Sequence, residues 1–131
     1  MNIKVMKKWV KALRSGKFKQ TQGTLKQYDS KGNAKHCCLG VLCELYNDEM
    51  RKNKKKTLPE TVKAYNNFYP DGYCSFDGHE GDLPKKVMKW AGLETNYGLY
   101  SRHKNSLVDW NDNGHSFNKI ANIIEKRWES L

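Results

Sequence analysis

The sequence predicts one α+β domain, residues 1–131, with several helices packed on a small antiparallel sheet. Three features carry that expectation. Segments with a helical apolar period outnumber segments of β-prone character. A turn-rich stretch lies between two short runs that can pair as a hairpin. The length, 131 residues with 37% apolar and 29% charged content, suits one modest core and no second domain.

The first helix is predicted over residues 3–14. Ile3, Met6, Trp9, Val10 and Leu13 fill one half of its wheel, with Val5 and Ala12 at the margin. Lys4, Lys7, Lys8, Lys11 and Arg14 fill the other half, and Gly16 after Ser15 provides a stop. Residues 24–28 and 34–37 flank the turn residues 29–33 and read as a hairpin.

The segment from Cys38 to Tyr46 is the most hydrophobic in the chain. On a helix its apolar residues cover more than half the circumference, which predicts the central buried helix, and Gly40 admits a neighbouring element closely. Residues 51–56 read as a solvated basic loop. Two segments, 58–65 and 83–90, echo each other and place Pro59 and Pro84 early in expected helices, the second ending at Gly92. Between them, residues 72–76 read as a strand followed by a loop over 77–81. Ser106 starts a short helix through Trp110, residues 111–114 turn the chain, and Ser116 caps a last helix over 117–129.

Charge is unevenly placed. The net charge is +10, and residues 1–35 hold ten Lys/Arg against the single acid Asp29. Residues 36–131 hold fourteen against thirteen acids. A concentrated positive field attracts polyanions, although a lysine-rich solvated surface has the same composition. No apolar run reaches the roughly 18–20 residues of a membrane helix, and the charged N-terminus lacks the apolar segment of a secretory signal. Four cysteines, two of them adjacent inside an apolar run, read as reduced thiols in a cytoplasmic protein.

Several constellations fall short of a chemistry. Cys38 at a helix N-terminus, with His36, His79 and His115 as bases, has no fixed spacing that defines a nucleophilic triad. The His and Cys residues, His103 among them, contain no Cys-x2-Cys pair, and Cys38 and Cys43 lie about 140° apart on a helix, so no zinc site is expected. Asp109, Asn111, Asn113 and Gly114 match the first half of a calcium loop, but Ile120 stands where the bidentate Glu belongs. No phosphate loop, dinucleotide fingerprint or other cofactor motif is present, and no cofactor is expected. Helix 1 supplies a row of cations spaced to follow a phosphate backbone. Lys17 and Lys19, beside Phe18 and Gln20, continue it in a pattern unlike helix-turn-helix, RRM or KH signatures.

Four motifs together carry a resemblance: Trp9-Val-x-Ala-Leu-Arg-Ser-Gly16, Cys37-Cys-Leu-Gly-Val-Leu-Cys-Glu-Leu45, Leu83-Pro-x-x-Val-x-x-Trp-Ala-Gly-Leu93 and Asn111-Asp-x-Gly-x-Ser-Phe-x-x-Ile-Ala121. The chain resembles a widespread group of small proteins encoded by tailed bacteriophages and prophages. The resemblance implies a phage origin, a cytoplasmic accessory role in host takeover or in neutralising host defence, and no catalytic residues. The basic first third and the lysine run 51–56 depart from the group's usual pattern.

The expected function is therefore non-enzymatic binding of an anionic partner through a basic N-terminal face. That partner is a nucleic acid, a nucleotide-type signal molecule, or a host defence or nucleic-acid-handling protein. The expected ligand-binding residues are Lys7, Lys8, Lys11, Arg14, Lys17, Lys19, Gln20, Asn111 and Asp112. Two alternatives stand beside it: a small cysteine-dependent enzyme acting on a nucleotide or protein, and a structural module that forms homo-oligomers.

Overall fold

The computed structural model describes residues 1–64, 72–101 and 105–131, which excludes Tyr65 and His103 of the segments discussed above. Among the described residues the chain forms α1 (Ile3–Arg14), β1 (Lys19–Gln20), β2 (Lys26–Tyr28), β3 (Ala34–His36), α2 (Cys38–Lys52), β4 (Glu60–Ala64), β5 (Gly72–Phe76), α3 (Lys85–Ala91), α4 (Leu107–Asp112), α5 (Phe117–Arg127) and a 3-10 turn at Trp128–Ser130. The fold is α+β. No helix of the described residues is long and apolar enough to cross a membrane.

The amphipathic pattern of α1 buries Val5, Met6, Trp9, Val10 and Leu13, while Ile3 at its first position stays 45% exposed. Asn2 caps this helix, its Oδ1 accepting from the backbone N–H of Lys4 at 2.9 Å and of Val5 at 3.3 Å. Trp9 is fully buried and its Nε1 donates to the Cys38 carbonyl at 2.9 Å, so the indole fills the core without stranding its polar atom. The expected caps Ser106 and Ser116 accept from Asp109 N and Lys119 N. Gly92 ends α3 in the left-handed conformation, with φ at 69°.

The sheet runs in the order β1-β3-β2-β5-β4, with β1 parallel to β3 and every other pair antiparallel. Its two faces differ. His36, Lys26, Cys74 and Val62 lie in register on one face, and this is the face that meets α2, since Glu44 of α2 reaches Lys26 and His36. Gln20 points to the same side and bonds α4. Side chains one residue along each strand point the other way.

Three expectations are corrected. Residues 60–64 form the edge strand β4 and no helix. Thr61 and Val62 are β-branched, β5 offers a free edge, and Pro59 passes its carbonyl to Asp77 N at 2.8 Å. The basic loop begins only after Lys52, because α2 continues through Arg51, which pairs with Asp48 at 2.9 Å one turn back. The short helix α4 likewise runs on to Asp112, so Asn111 and Asp112 are helical, not turn residues. The two-residue strand β1 is too short for any periodicity to announce it.

The helical layer is seated on the sheet at Gly40. A Cβ built there would lie 1.8 Å from the Leu25 carbonyl oxygen, so only glycine lets α2 approach this backbone. Cys37 N donates to that same oxygen at 3.2 Å. Gly40→Ala is accordingly expected to cost about 3 kcal/mol or more, because both clashing atoms belong to backbone and cannot swing aside. Urea unfolding checks this; a wild-type midpoint for the variant would refute the contact.

Candidate functional site

The residues expected to bind a partner separate into two groups. Lys7, Lys8, Lys11 and Arg14 line the outer face of α1, and Lys17 and Lys19 follow in the exposed segment leading into β1. Among the described residues Lys7, Lys11, Lys17 and Lys19 form no ion pair. Lys8 lies 3.8 Å from Glu49, at the limit of such a pair. Arg14 is anchored: its Nη2 donates to Asn122 Oδ1 at 2.6 Å and to Glu125 Oε1 at 2.5 Å, which ties α1 to α5. The hydrogen bond to Glu125 raises the Arg14 pKa and lowers that of its partner.

A surface groove of about 500 Å³ runs along this seam, with Met6 and Val10 in its floor and Lys7, Lys11, Arg14 and Glu125 around it. A second depression of about 500 Å³ continues on the other side of Glu125, between Lys119, Asn122, Ile123 and Lys126. Sequence reasoning missed Lys119 and Lys126. Both lie on the polar face of the last helix, where a cation looks the same whether or not a second basic helix lies alongside.

Gln20, Asn111 and Asp112 lie elsewhere, engaged within the fold. Asn111 is fully buried. Its Oδ1 accepts from Cys38 N at 3.1 Å and from Gln20 Nε2 at 2.9 Å, while its Nδ2 donates to the Thr21 carbonyl at 2.8 Å. Gln20 also donates to the His115 carbonyl at 2.7 Å, and Asp112 Oδ1 accepts from Gly23 N at 2.9 Å. These polar groups cap α2 and hold β1 and its following turn against α4. The same bonds account for the calcium-like spacing: Asp109 and Asn111 sit inside a helix, and the Asn111 amide is committed to backbone groups.

The cysteines are free and buried. Burial raises the Cys37 thiol to about 11 and pushes those of Cys38 and Cys43 well above their usual value; Cys74 is raised for the same reason. Cys38 Sγ contacts the Leu107 carbonyl at 3.6 Å. A helix N-terminus therefore does not make Cys38 a thiolate here, because desolvation outweighs the dipole.

A buried ionic cluster, unexpected from the sequence, lies between sheet and α2. Lys26 Nζ is 3.1 Å from Glu44 Oε1 and 2.6 Å from Glu60 Oε1. His36 Nε2 stands 3.4 Å from Glu44, and neither of its ring nitrogens has an aligned hydrogen-bond partner among the described residues. Burial alone would raise the Glu44 pKa, but His36 and the charge of Lys26 outweigh it and hold the carboxyl at about 2. Burial likewise opposes the Lys26 charge, and the bonds to Glu60, Tyr28 and Glu44 more than offset it, so its pKa rises.

The sequence pattern of a family described as a domain of unknown function (DUF8296) matches residues 1–128. The chain belongs to this family. The match spans α1 through α5, so the DUF8296 domain includes the groove, the Asn111 network and the ionic cluster. No curated protein and no solved structure matches the chain.

Two outcomes follow for this DUF8296 domain. In thiol titration of the native protein, the four cysteines should react slowly, and all should react on denaturation; one rapidly alkylated thiol would contradict their burial. The depressed Glu44 pKa contributes stability above the ordinary carboxylate value of 4.5, and this is lost as pH falls toward about 2. Glu44→Gln should therefore flatten the acid side of a urea-midpoint profile in that window. It should also cost about 1.5–3 kcal/mol at neutral pH, the scale of a hydrogen bond to a charged group.

Proposed function

We propose that the chain is a non-enzymatic binding protein that engages an anionic partner through the cationic groove between α1 and α5. The observation that supports this most directly is the state of Lys7 and Lys11. Both are exposed, neither has an ion pair among the described residues, and both border a groove with an apolar floor. Arg14 is held by Glu125 and Asn122, so it fixes the wall of the groove while the lysines carry the available charge.

An anionic partner fits this surface: nucleic acid, a nucleotide-type signal molecule, or a nucleic-acid-handling host effector. Resemblance to phage-encoded proteins supports a setting inside an infected bacterium, where host takeover or neutralised defence is the role. Buried, undissociated thiols argue against the cysteine-dependent enzyme.

The test is native mass spectrometry of the protein recovered from infected cells, wild type beside Lys7→Glu/Lys11→Glu. The wild type should carry an anionic ligand or a partner chain that added salt removes, and the double variant should lose it. Both substitutions are on exposed positions and should change stability by about 0.5 kcal/mol each or less. Recovery of the same partner on the folded double variant, or of no partner on the wild type, refutes the proposal.

A further inference from the structure

One cleft runs against the charge of the chain. Two cavities, of about 510 and 360 Å³, meet between residues 95–99 and α4, and Tyr97 and Val108 belong to the walls of both. Each is within the size range of small-molecule sites. The larger is a mainly apolar shelf of Tyr97, Leu99 and Val108, with Thr95, Ser106 and Asp109 at its edge. The smaller is more enclosed and more polar, with Asp82 and Asp112 in its walls beside Gly23, Gly81 and Cys37. The described walls of the two contain three aspartates and no Lys, Arg or His, in a chain of net charge +10.

The walls are held by the fold itself. Leu83 N donates to the Asn96 carbonyl at 2.9 Å, Leu107 N to that of Gly98 at 3.0 Å and Val108 N to that of Tyr97 at 3.3 Å, which staples residues 96–98 between Leu83 and the start of α4. Each carboxylate is fixed through one oxygen. Asp82 Oδ2 accepts from Asn96 Nδ2 at 2.9 Å and lies 3.0 Å from His79 Nδ1. Asp112 Oδ1 accepts from Gly23 N at 2.9 Å, and Asp109 Oδ2 from Ser106 Oγ at 2.8 Å. A carboxylate has two oxygens that accept in several directions, so all three keep acceptor capacity. No Lys or Arg of the described residues forms an ion pair with any of them. Tyr97 is 49% exposed and Leu99 37%, two of the four large apolar side chains that the described residues leave exposed, and both stand on this shelf.

The chemistry of the walls selects the ligand. Aspartates repel an anion, and a purely apolar molecule would desolvate them without compensation. No group of three or more His, Cys, Asp or Glu among the described residues is arranged to hold a metal ion. A cation with N–H donors and an apolar body satisfies both halves, through charge-assisted hydrogen bonds and contact with the Tyr97 ring. We propose that the cleft binds a small organic cation, its N–H groups on Asp82 and Asp112 and its apolar body on Tyr97, Leu99 and Val108. The site does not depend on the α1–α5 groove, whose ligand has the opposite charge.

Titration with benzamidine, followed by amide NMR, tests the assignment, with benzamide as the neutral probe of the same shape. Benzamidine should saturate with a millimolar Kd, the scale for so small a probe, and shift the amides of Gly23, Gly81, Tyr97 and Val108. Benzamide should bind about tenfold more weakly or worse. Asp112→Asn keeps an oxygen for Gly23 N and removes the charge, so it should stay folded and weaken benzamidine by about fivefold or more. Tyr97→Ala should weaken both probes alike. The proposal is overturned if benzamidine does not saturate, if its shifts lie elsewhere, if benzamide binds as tightly, or if Asp82→Asn and Asp112→Asn both bind as wild type. The peptide acetyl-Gly-Arg-Gly-amide separates a free ligand from an arginine offered by a partner protein. Tighter binding of that peptide than of benzamidine would also overturn the proposal, and would give the cleft to a protein partner instead.

Discussion

The contact between the first turn of α2 and the backbone of Leu25 constrains the rest of the molecule. Gly40 allows it by having no side chain, and the Cys37 N–H seals it by donating to the Leu25 carbonyl. The same turn is also the point where distant elements meet. Trp9 of α1 donates to the Cys38 carbonyl, and Asn111 of α4 accepts from the Cys38 N–H. One turn of helix thus fixes α1, the hairpin and α4 relative to one another. No acid lies in the first turn of α2, so its free N–H groups are met by the Asn111 carbonyl oxygen and by Cys37 Sγ, which accepts from Gly40 N at 3.4 Å. Neutral acceptors suit a buried helix start, where a carboxylate would carry a large desolvation cost.

The α1 face and the central helix were legible because both rest on a strong local period. Met6, Trp9 and Leu13 inside and Lys7 and Lys11 outside follow from the spacing alone, while Val5, placed at the margin of the wheel, is buried as well. The hairpin was legible from its turn chemistry, with Asp29 accepting from Lys31 N and Asn33 N as an Asx turn does. β4 was not. Residues 58–65 share their Leu-Pro opening and spacing with 83–90, and only the free edge of β5 and the bond that Lys26 donates to Glu60 make 60–64 a strand where 85–91 is a helix. Tertiary pairing outweighed a local pattern there.

Site residues divided along the same line. A cation on a solvated helix face can be placed from one element, so the position of Lys7 and Lys11 on the outer face of α1 was legible. A polar residue at an element end has two uses that look identical in sequence, ligand contact and internal capping. Gln20 and Asn111 take the second: both reach across about ninety residues of chain to satisfy backbone groups, a partnership that no local reading contains. The ionic cluster was invisible for the same reason. Lys26 resembles every other lysine until the register sets it on the face opposite Glu44.

The distribution of carboxylates gives the charge surplus its meaning. Glu44 and Glu60 hold a buried lysine, Asp82, Asp109 and Asp112 fix loops and helix ends, and Glu125 holds Arg14. These six acids act inside the fold or on its seams, while Glu49, Asp48, Glu80 and Asp77 pair with surface lysines or arginine. On α1, Lys7 and Lys11 are left without an ion pair among the described residues, although an exposed pair would contribute little to stability in any case. Like charges left together on one helix face repel, and folding gains nothing from the arrangement. An approaching nucleic acid gains, because each of its phosphates that a lysine neutralises releases a counterion condensed on the nucleic acid. Lys7 and Lys11 stand outward with no acid paired to either among the described residues, so part of the excess positive charge is expressed locally on the outer face of α1.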